Sequence, residues 1–542
     1  MGTYLNPGNS GFARIIESDY VDKTALIGLV NNTIGTTKNL TCISRPRRFG
    51  KSYAAQMLCA YYDKTCDSHK LFRDCVISKD PDYERHINKY HVISIDINGF
   101  ISNAKKNKTP LADIPATIDR TILSETRRLY PEFKGIDDLN ECLLELVRTT
   151  GAQIVFVIDE WDSMIREAKE DKAAQEGYLN LLRGWFKNGN FTPQAVAAAY
   201  MTGILPIKKD GSQSAISDFN EYSMLHPGKF AGYVGLSEKE VSELCDKNGR
   251  SFDQMKNWYD GYTVGTERSV YNPYSVMQAI ETGTYTSYWK KTSAAETLMT
   301  YIDMDQDGLQ ETIARLIAGE SIVVDTDSFR NDVETFTCKD DVLTLLIHLG
   351  YLTYEEVSDS YDEDDEHLTG LAHIPNEEVR SEFEKILRKS GHKSLIALVQ
   401  KSDRLLQDTL EGNEEAVAKA ISEVHESEYA PTFYNNEQGL RYVVKMAYIS
   451  CVDQYAKVEE MPSGHGIADV VFLPKRRSAL PAMIIELKWN EEPEGAIKQI
   501  KDKNYPKVLE NYGGDIVLVG VNYDRKSKTH ECRIEKHRSE AQ

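Results

Sequence analysis

The sequence predicts an α/β chain in three parts: a core on a buried parallel sheet, a mostly helical middle region, and a smaller α/β module at the C-terminal end. Three observations predict it. Leu40–Ser52 runs from a short apolar strand through a turn ending in Gly50-Lys51-Ser52 and into a helix expected over Tyr53–Tyr62. Gln153–Glu160 carries five consecutive apolar residues and then Asp159-Glu160, as a strand buried on both faces of a parallel sheet would. Near the other end, two strand-like runs, Gly466–Leu473 and Ala482–Trp489, flank a turn-rich piece, Pro474–Pro481.

The first stretch has the order that phosphate binding needs. Backbone N–H groups of the turn and of the helix N-terminus cradle phosphates, a lysine reaches the outer ones, and a hydroxyl ligates Mg²⁺. Lys51 and Ser52 fill those roles, with Arg45, Pro46, Arg47, Arg48, Phe49 and Gly50 forming the turn. Arg45 stands where the usual pattern has its first glycine. At the end of the second strand, Asp159 is placed to hold Mg²⁺ of bound ATP and Glu160 to polarise an attacking water. A third buried strand, Ala195–Gly203, closes on Thr202, a candidate sensor of the terminal phosphate or simply a strand end. Any of the three arginines could act as an arginine finger, in cis or across a subunit contact, or form a solvated basic rim.

Upstream, Asp22 is the expected cap of a helix continuing to Val30. Tyr20–Thr24 followed by Arg45–Ser52 resembles the AAA-ATPase-like proteins, prokaryotic P-loop proteins that often carry a PD-(D/E)XK nuclease-like domain at the C-terminus. In that family the arginine-rich P-loop without its first glycine is the normal form, so the resemblance implies a working nucleotide site. Trp258–Tyr262 and Val270–Ser275 resemble further hallmark segments; their turn signals and aromatics assign them to packing at the edge of the core.

The middle region reads as mostly helical. Leu343–Leu349 is an apolar helix stopped by Gly350, and Tyr351–Tyr354 with Leu368–Ile374 form the arms of a hairpin. Helix then hairpin is a winged-helix-like order. The acidic run Asp362–Glu366 at its tip would repel phosphates, which favours a lid or a protein-facing element over a DNA-binding wing.

In the C-terminal module, an antiparallel hairpin centred between Arg477 and Ser478 sets Asp469 opposite Glu486, with Lys488 on the same face as Glu486. Two carboxylates can hold Mg²⁺ or Mn²⁺ against a scissile phosphate, and the lysine can orient water and offset charge on phosphorus. This D-x₁₆-E-x-K spacing is the core of the PD-(D/E)XK nucleases. As a pattern it is also what an exposed hairpin with a Glu–Lys pair would show. Glu437, on an expected helix over Asn436–Tyr448, is the natural third metal carboxylate. Gln499, Lys503 and Tyr505 resemble the family's helix behind the active strand.

The expected parts are therefore a P-loop NTPase core over residues 1–265, a helical middle region over 266–425, and a restriction-endonuclease-like domain over 426–542. A formal charge of −20 over 542 residues excludes a protein that coats nucleic acid non-specifically. A DNA or RNA substrate would then need a local basic groove, for which Lys475, Arg476, Arg477, Lys498, Lys501 and Lys503 are the candidates. Nine cysteines without a C-x-x-C pair point to reduced thiols in a cytoplasmic protein. No apolar run approaches the roughly 20 residues of a membrane span. The function expected is an ATP-binding protein, an ATPase, coupled to a metal-dependent nuclease. The alternative is a nucleotide-dependent switch or homo-oligomeric ATPase whose nuclease-like domain only binds a partner or nucleic acid.

Overall fold

The computed structural model describes residues 2–168, 171–207, 216–289, 308–317, 319–327, 329, 336, 338–356, 369–390, 393–426, 440, 443–444, 447–448, 451, 454–463, 466–474, 480–502 and 515–537. Within these, side chains are described except at 311, 369, 386–390, 393–399, 456–463 and 466–468. The chain divides into two compact units, Met1–Ala294 with Val323–Val379, and Ala295–Ile322 with Arg380–Gln542.

The first unit is built on five parallel strands: β1 (Leu40–Ser44), β2 (His91–Asp96), β3 (Ile154–Asp159), β4 (Val196–Gly203) and β5 (Asn220–Tyr222), in the order β2-β3-β4-β1-β5. β1 and β4 are buried at every residue, as their apolar runs predict. Small residues Ala197–Ala199 let β4 sit at the centre with helices close on the sheet. Two short helices come first, α1 (Ser10–Ile16) and α2 (Ala25–Asn31). α2 begins one turn after Asp22, whose carboxylate accepts from Thr24 N and Oγ1 at 2.8 and 2.6 Å and from Val76 N at 2.7 Å. The helix after the phosphate turn, α3 (Lys51–Tyr62), starts two residues earlier than its apolar pattern indicates. Nine of its twelve residues are buried, so it lies inside the unit rather than on its surface.

Helices α4 (Ile97–Asn107), α5 (Ile114–Leu129), α6 (Leu139–Thr150), α7 (Ser163–Glu167) and α8 (Lys172–Phe186) bury one continuous core with the sheet, centred on Ile93, Phe156, Ile158, Leu143 and Trp185. α6 is bounded as its sequence asks: Asp138 accepts from Glu141 N at 2.9 Å, and Gly151 ends it at φ 68°.

Still in this unit, a three-stranded sheet of β6 (Leu236–Ser237), β7 (Tyr262–Val264) and β8 (Glu267–Tyr271) packs with α9 (Glu238–Asn248), α10 (Phe252–Tyr259) and α11 (Pro273–Thr282). A second small sheet, ordered β10-β11-β9, joins β9 (Ile322–Asp325) to the hairpin of β10 (Thr353–Glu356) and β11 (Thr369–His373). Before that hairpin runs α12 (Lys339–Leu349), closed by Gly350 at φ 83°. The helix-then-hairpin order is thus present; the acidic tip Asp362–Glu366 lies outside the described residues.

The second unit carries α13 (Lys393–Glu411), α14 (Glu414–His425) and five strands, β12 (Tyr455–Ser463), β13 (Gly466–Pro474), β14 (Ala482–Trp489), β15 (Ile516–Asp524) and β16 (Thr529–His537), in sequential order. β14 and β15 are parallel and the other pairs antiparallel. The parallel pair is crossed over by α15 (Pro493–Asp502), whose Ile497 and Ile500 pack on Ile484 and Leu518. Gly520 makes that packing close: a Cβ there would meet Pro493 O at 2.5 Å and Ala496 Cβ at 3.0 Å. Across the sheet, His530 of β16 is buried beside His425 and Tyr523, and neither of its ring nitrogens has a hydrogen-bond partner among the described residues. All nine cysteines are free.

Candidate functional sites

The phosphate turn reverses between β1 and α3 through two residues at positive φ, Arg48 at 70° and Gly50 at 88°. Gly50 is required for its backbone and not for space, since a Cβ there would touch nothing within 4 Å. The Lys51 amine is buried and donates to the carbonyls of Arg45 and Pro46 at 3.0 and 2.8 Å. Burial pulls it below its ordinary pKa, against the opposing pull of Glu160, Asp159 and Asp162. The exposed Ser52 hydroxyl makes no hydrogen bond among the described residues.

The three arginines part company. Arg45 is fully buried, and its Nη1 donates to the carbonyls of Ser44, Tyr222 and Ser223 at 2.9, 2.9 and 2.7 Å. Burial pushes its pKa down to about 10. It ties the end of β1 to the end of β5, and its guanidinium is committed there, neither on a solvated rim nor free as a finger. Arg48 lies over the Tyr274 ring, 4.2 Å from its centroid, and donates to Tyr288 O at 2.6 Å. Arg47 is half-buried and its guanidinium makes no hydrogen bond or ion pair among the described residues.

The hallmark aromatic segments grip this turn. Phe49 packs edge-on against Tyr262 at 5.1 Å, Asn272 Nδ2 donates to Arg47 O at 3.4 Å, and Tyr262 OH donates to Gly350 O at 2.7 Å. A Cβ on Gly350 would meet Pro46 at 2.7 Å. Read from sequence alone, these segments were packing at the edge of the core; the structure adds that they fix the phosphate turn itself. Pro46 and Phe49 contribute shape to the turn, not polar atoms.

Facing the turn, β3 and β4 place Asp159 and Thr202 side by side, the Thr202 hydroxyl donating to Asp159 Oδ1. Thr202 therefore does more than end a strand. Glu160 follows at φ 54°, its N–H shared between Asp159 Oδ1 at 3.1 Å and Thr202 Oγ1 at 3.4 Å. Arg166 reaches Glu160 Oε2 at 2.7 Å and Asp162 Oδ2 at 2.9 Å. Asp162 and Arg166 escaped the sequence reading, although their spacing of one helical turn just after Asp159-Glu160 could have shown them. The lysine, the helix N-terminus, the free hydroxyl and Asp159 form a donor set that suits a Mg-nucleotide.

In the second unit, β13 and β14 pair Val470 with Ile485 and Phe472 with Met483, the register that sets Asp469 opposite Glu486. Both carboxylates are buried, at 7% and 2% exposure. Asp469 Oδ2 accepts from Leu487 N at 2.9 Å. From α15, Gln499 donates to Glu486 Oε1 and accepts from Lys488 Nζ at 2.6 Å. Glu486, Lys488 and Gln499 thus meet on one face, and Gly520 lets the helix bearing Gln499 come that near. Two carboxylates on neighbouring strands suit a hard divalent cation. Among the described residues no group of three or more His, Cys, Asp or Glu side chains is placed to hold a metal. Glu437, Lys503, Tyr505, Lys475, Arg476 and Arg477 lie outside the described residues; Lys498 and Lys501 are exposed on α15. No helix among the described residues is long and apolar enough to cross a membrane.

Residues 7–212 match a family described as a predicted AAA-ATPase, and residues 435–532 match the PD-(D/E)XK nuclease superfamily. A relative described as an uncharacterized protein in the vnfD 5' region of Azotobacter chroococcum mcd 1 is 24% identical over 537 residues, 96% of each chain. Two solved structures show a low overall likeness. The Aeropyrum pernix ORC2 protein in ADPNP–ADP complexes has 12% identity and a TM-score of 0.28, covering 71% of this chain and 98% of that one. The Aeropyrum pernix ORC1 protein in complex with DNA has 9% identity and a TM-score of 0.26, covering 69% and 95%. At those scores the likeness carries no assignment.

Proposed function

We propose that this chain, an AAA-ATPase-like region joined to a PD-(D/E)XK nuclease-superfamily region, binds and hydrolyses ATP and couples the nucleotide to metal-dependent cleavage of nucleic-acid phosphodiesters. The observation that carries the nuclease half is the register that sets Asp469 opposite Glu486 with Gln499 joining Glu486 to Lys488. In the first unit, Lys51, Ser52 and the α3 N-terminus would receive the phosphates of Mg-ATP, and Arg47 is the turn arginine open to them. Asp159, steadied by Thr202, would hold Mg²⁺, and Glu160 would orient water. In the second, Asp469 and Glu486 would hold Mg²⁺ or Mn²⁺, which when bound polarises the scissile phosphate. Lys488 orients the attacking water and offsets charge on phosphorus.

A second reading has an observation of its own. Gln499 already occupies an oxygen of Glu486 and the amine of Lys488, as suits a module that binds nucleic acid or a partner without cutting. Cleavage of labelled single- and double-stranded DNA and RNA, with Mg²⁺ or Mn²⁺ and with or without ATP, separates the two. Cleavage present in the wild type and abolished in Glu486→Ala supports the nuclease, and a changed rate in Lys51→Ala supports the coupling. No cleavage of any substrate by a chain that binds ATP would favour the binding module.

A further inference from the structure

We infer that Arg166 is a positioning residue for Glu160 in nucleotide hydrolysis, fixing one oxygen of that carboxylate and leaving the other open to a water. The inference rests on the reading of Glu160 as the group that orients the attacking water. It starts from a backbone that is unusual for a glutamate. At φ 54° Glu160 occupies the left-handed region, which costs a non-glycine residue on the order of 1–3 kcal/mol. Its N–H holds that conformation by bonds to Asp159 Oδ1 and Thr202 Oγ1. The turn aims the side chain, and Arg166 then holds it.

Glu160 Oε2 accepts from Arg166 Nη2 at 2.7 Å and from Ser163 Oγ at 3.5 Å, while Oε1 accepts no hydrogen bond among the described residues. Arg166 is itself anchored. Its Nε donates to Asp162 Oδ2 at 2.9 Å, and the same oxygen accepts from Ile204 N and Leu205 N at 3.2 and 3.0 Å. Asp162 is buried and fastened to the residues that follow β4, the strand carrying Thr202. The guanidinium therefore cannot follow a wandering glutamate; the glutamate must come to it. Side-chain exposure is 13% for Arg166 and 18% for Glu160, so the pair is shielded from the solvent that makes surface ion pairs weak. Burial pulls the Arg166 pKa down, but Asp162 and Glu160 outweigh it, so it remains a cation. A planar fork with one arm on Asp162 and the other on Glu160 sets the angle of the carboxylate, which a lysine's single amine cannot do.

The test is steady-state hydrolysis of Mg-ATP by the full chain and by Glu160→Gln, Arg166→Gln and Arg166→Lys, with thermal melts alongside. Arg166→Gln is expected to lower kcat by about 10- to 100-fold, with KM for ATP changed by less than about threefold. Arg166→Lys is expected to recover only part of that loss. An unchanged or raised kcat in Arg166→Gln would overturn the inference, a rise marking the ion pair as a brake. Should Arg166→Gln fail to fold, Arg166→Lys decides, and wild-type kcat there would overturn it equally. A wild type that hydrolyses ATP and is silenced by Glu160→Gln upholds the reading of Glu160 whatever Arg166 does. A wild type that binds ATP without hydrolysing it would remove both.

Discussion

His530 shows at the scale of one residue how burial becomes pH dependence. Burial, with His425 nearby, pushes its pKa down to about 4, whereas an unfolded histidine titrates near about 6.5. Between those values the unfolded chain binds a proton that the folded chain refuses. Stability from the neutral ring is therefore complete above about pH 6.5 and falls as pH drops toward 4. His530→Phe keeps a flat ring among the same aromatics and removes the two unpartnered nitrogens. From pH 7 to pH 5 the wild type is expected to lose about 1–2 kcal/mol more stability than the variant, read from urea midpoints at both values. The arginines of the phosphate turn make the complementary point. In the sequence Arg45, Arg47 and Arg48 are equivalent charges beside a Gly-Lys-Ser, and nothing local separates them. Their roles are set by the carbonyls of β5 and by Tyr274 and Tyr288, all more than a hundred residues away along the chain.

Among the elements, the strands were the most legible. Unbroken apolar runs named β1, β3 and β4, and period-two reasoning across a turn placed Asp469 opposite Glu486 in the register observed. Helix α15 was legible as a helix, but its depth was not, because that depends on Gly520 one strand further on. Gly520→Ala is expected to cost about 1–3 kcal/mol through overpacking, since its Cβ would sit 2.5 Å from Pro493 O. By moving Gln499 away from Glu486 and Lys488, it should also alter metal-dependent cleavage beyond what the lost stability explains. Rates compared at a temperature where both proteins are folded would show it; equal rates would mean that the helix yields without disturbing the site. The aromatic segments at 258–275 were visible as turns, but not as the clasp of the phosphate turn. A clasp is a tertiary relation, and no local pattern encodes it.

At the scale of the whole molecule, two compact units with separate cores should not unfold as one. Thermal unfolding is expected in two steps, with Mg-ATP raising only the step that belongs to the first unit. At a hundredfold excess over Kd the gain is about 2.7 kcal/mol, and Lys51→Ala should abolish it. A single transition moved as a whole by nucleotide would instead show the units to be energetically one.

The clasp on the phosphate turn also has a meaning in time. Pro46 and Phe49 leave the ribosome early, but Tyr262, Asn272 and Gly350, which hold them, are made much later. At 5–20 residues per second, the roughly 300 residues between Pro46 and Gly350 take about 15 to 60 s to synthesise. During that interval the nascent chain has its phosphate-binding motif in full without the means to keep it in shape. Nucleotide then cannot serve as an early template for folding, and a nascent chain cut short at residue 265 would carry the motif unclasped.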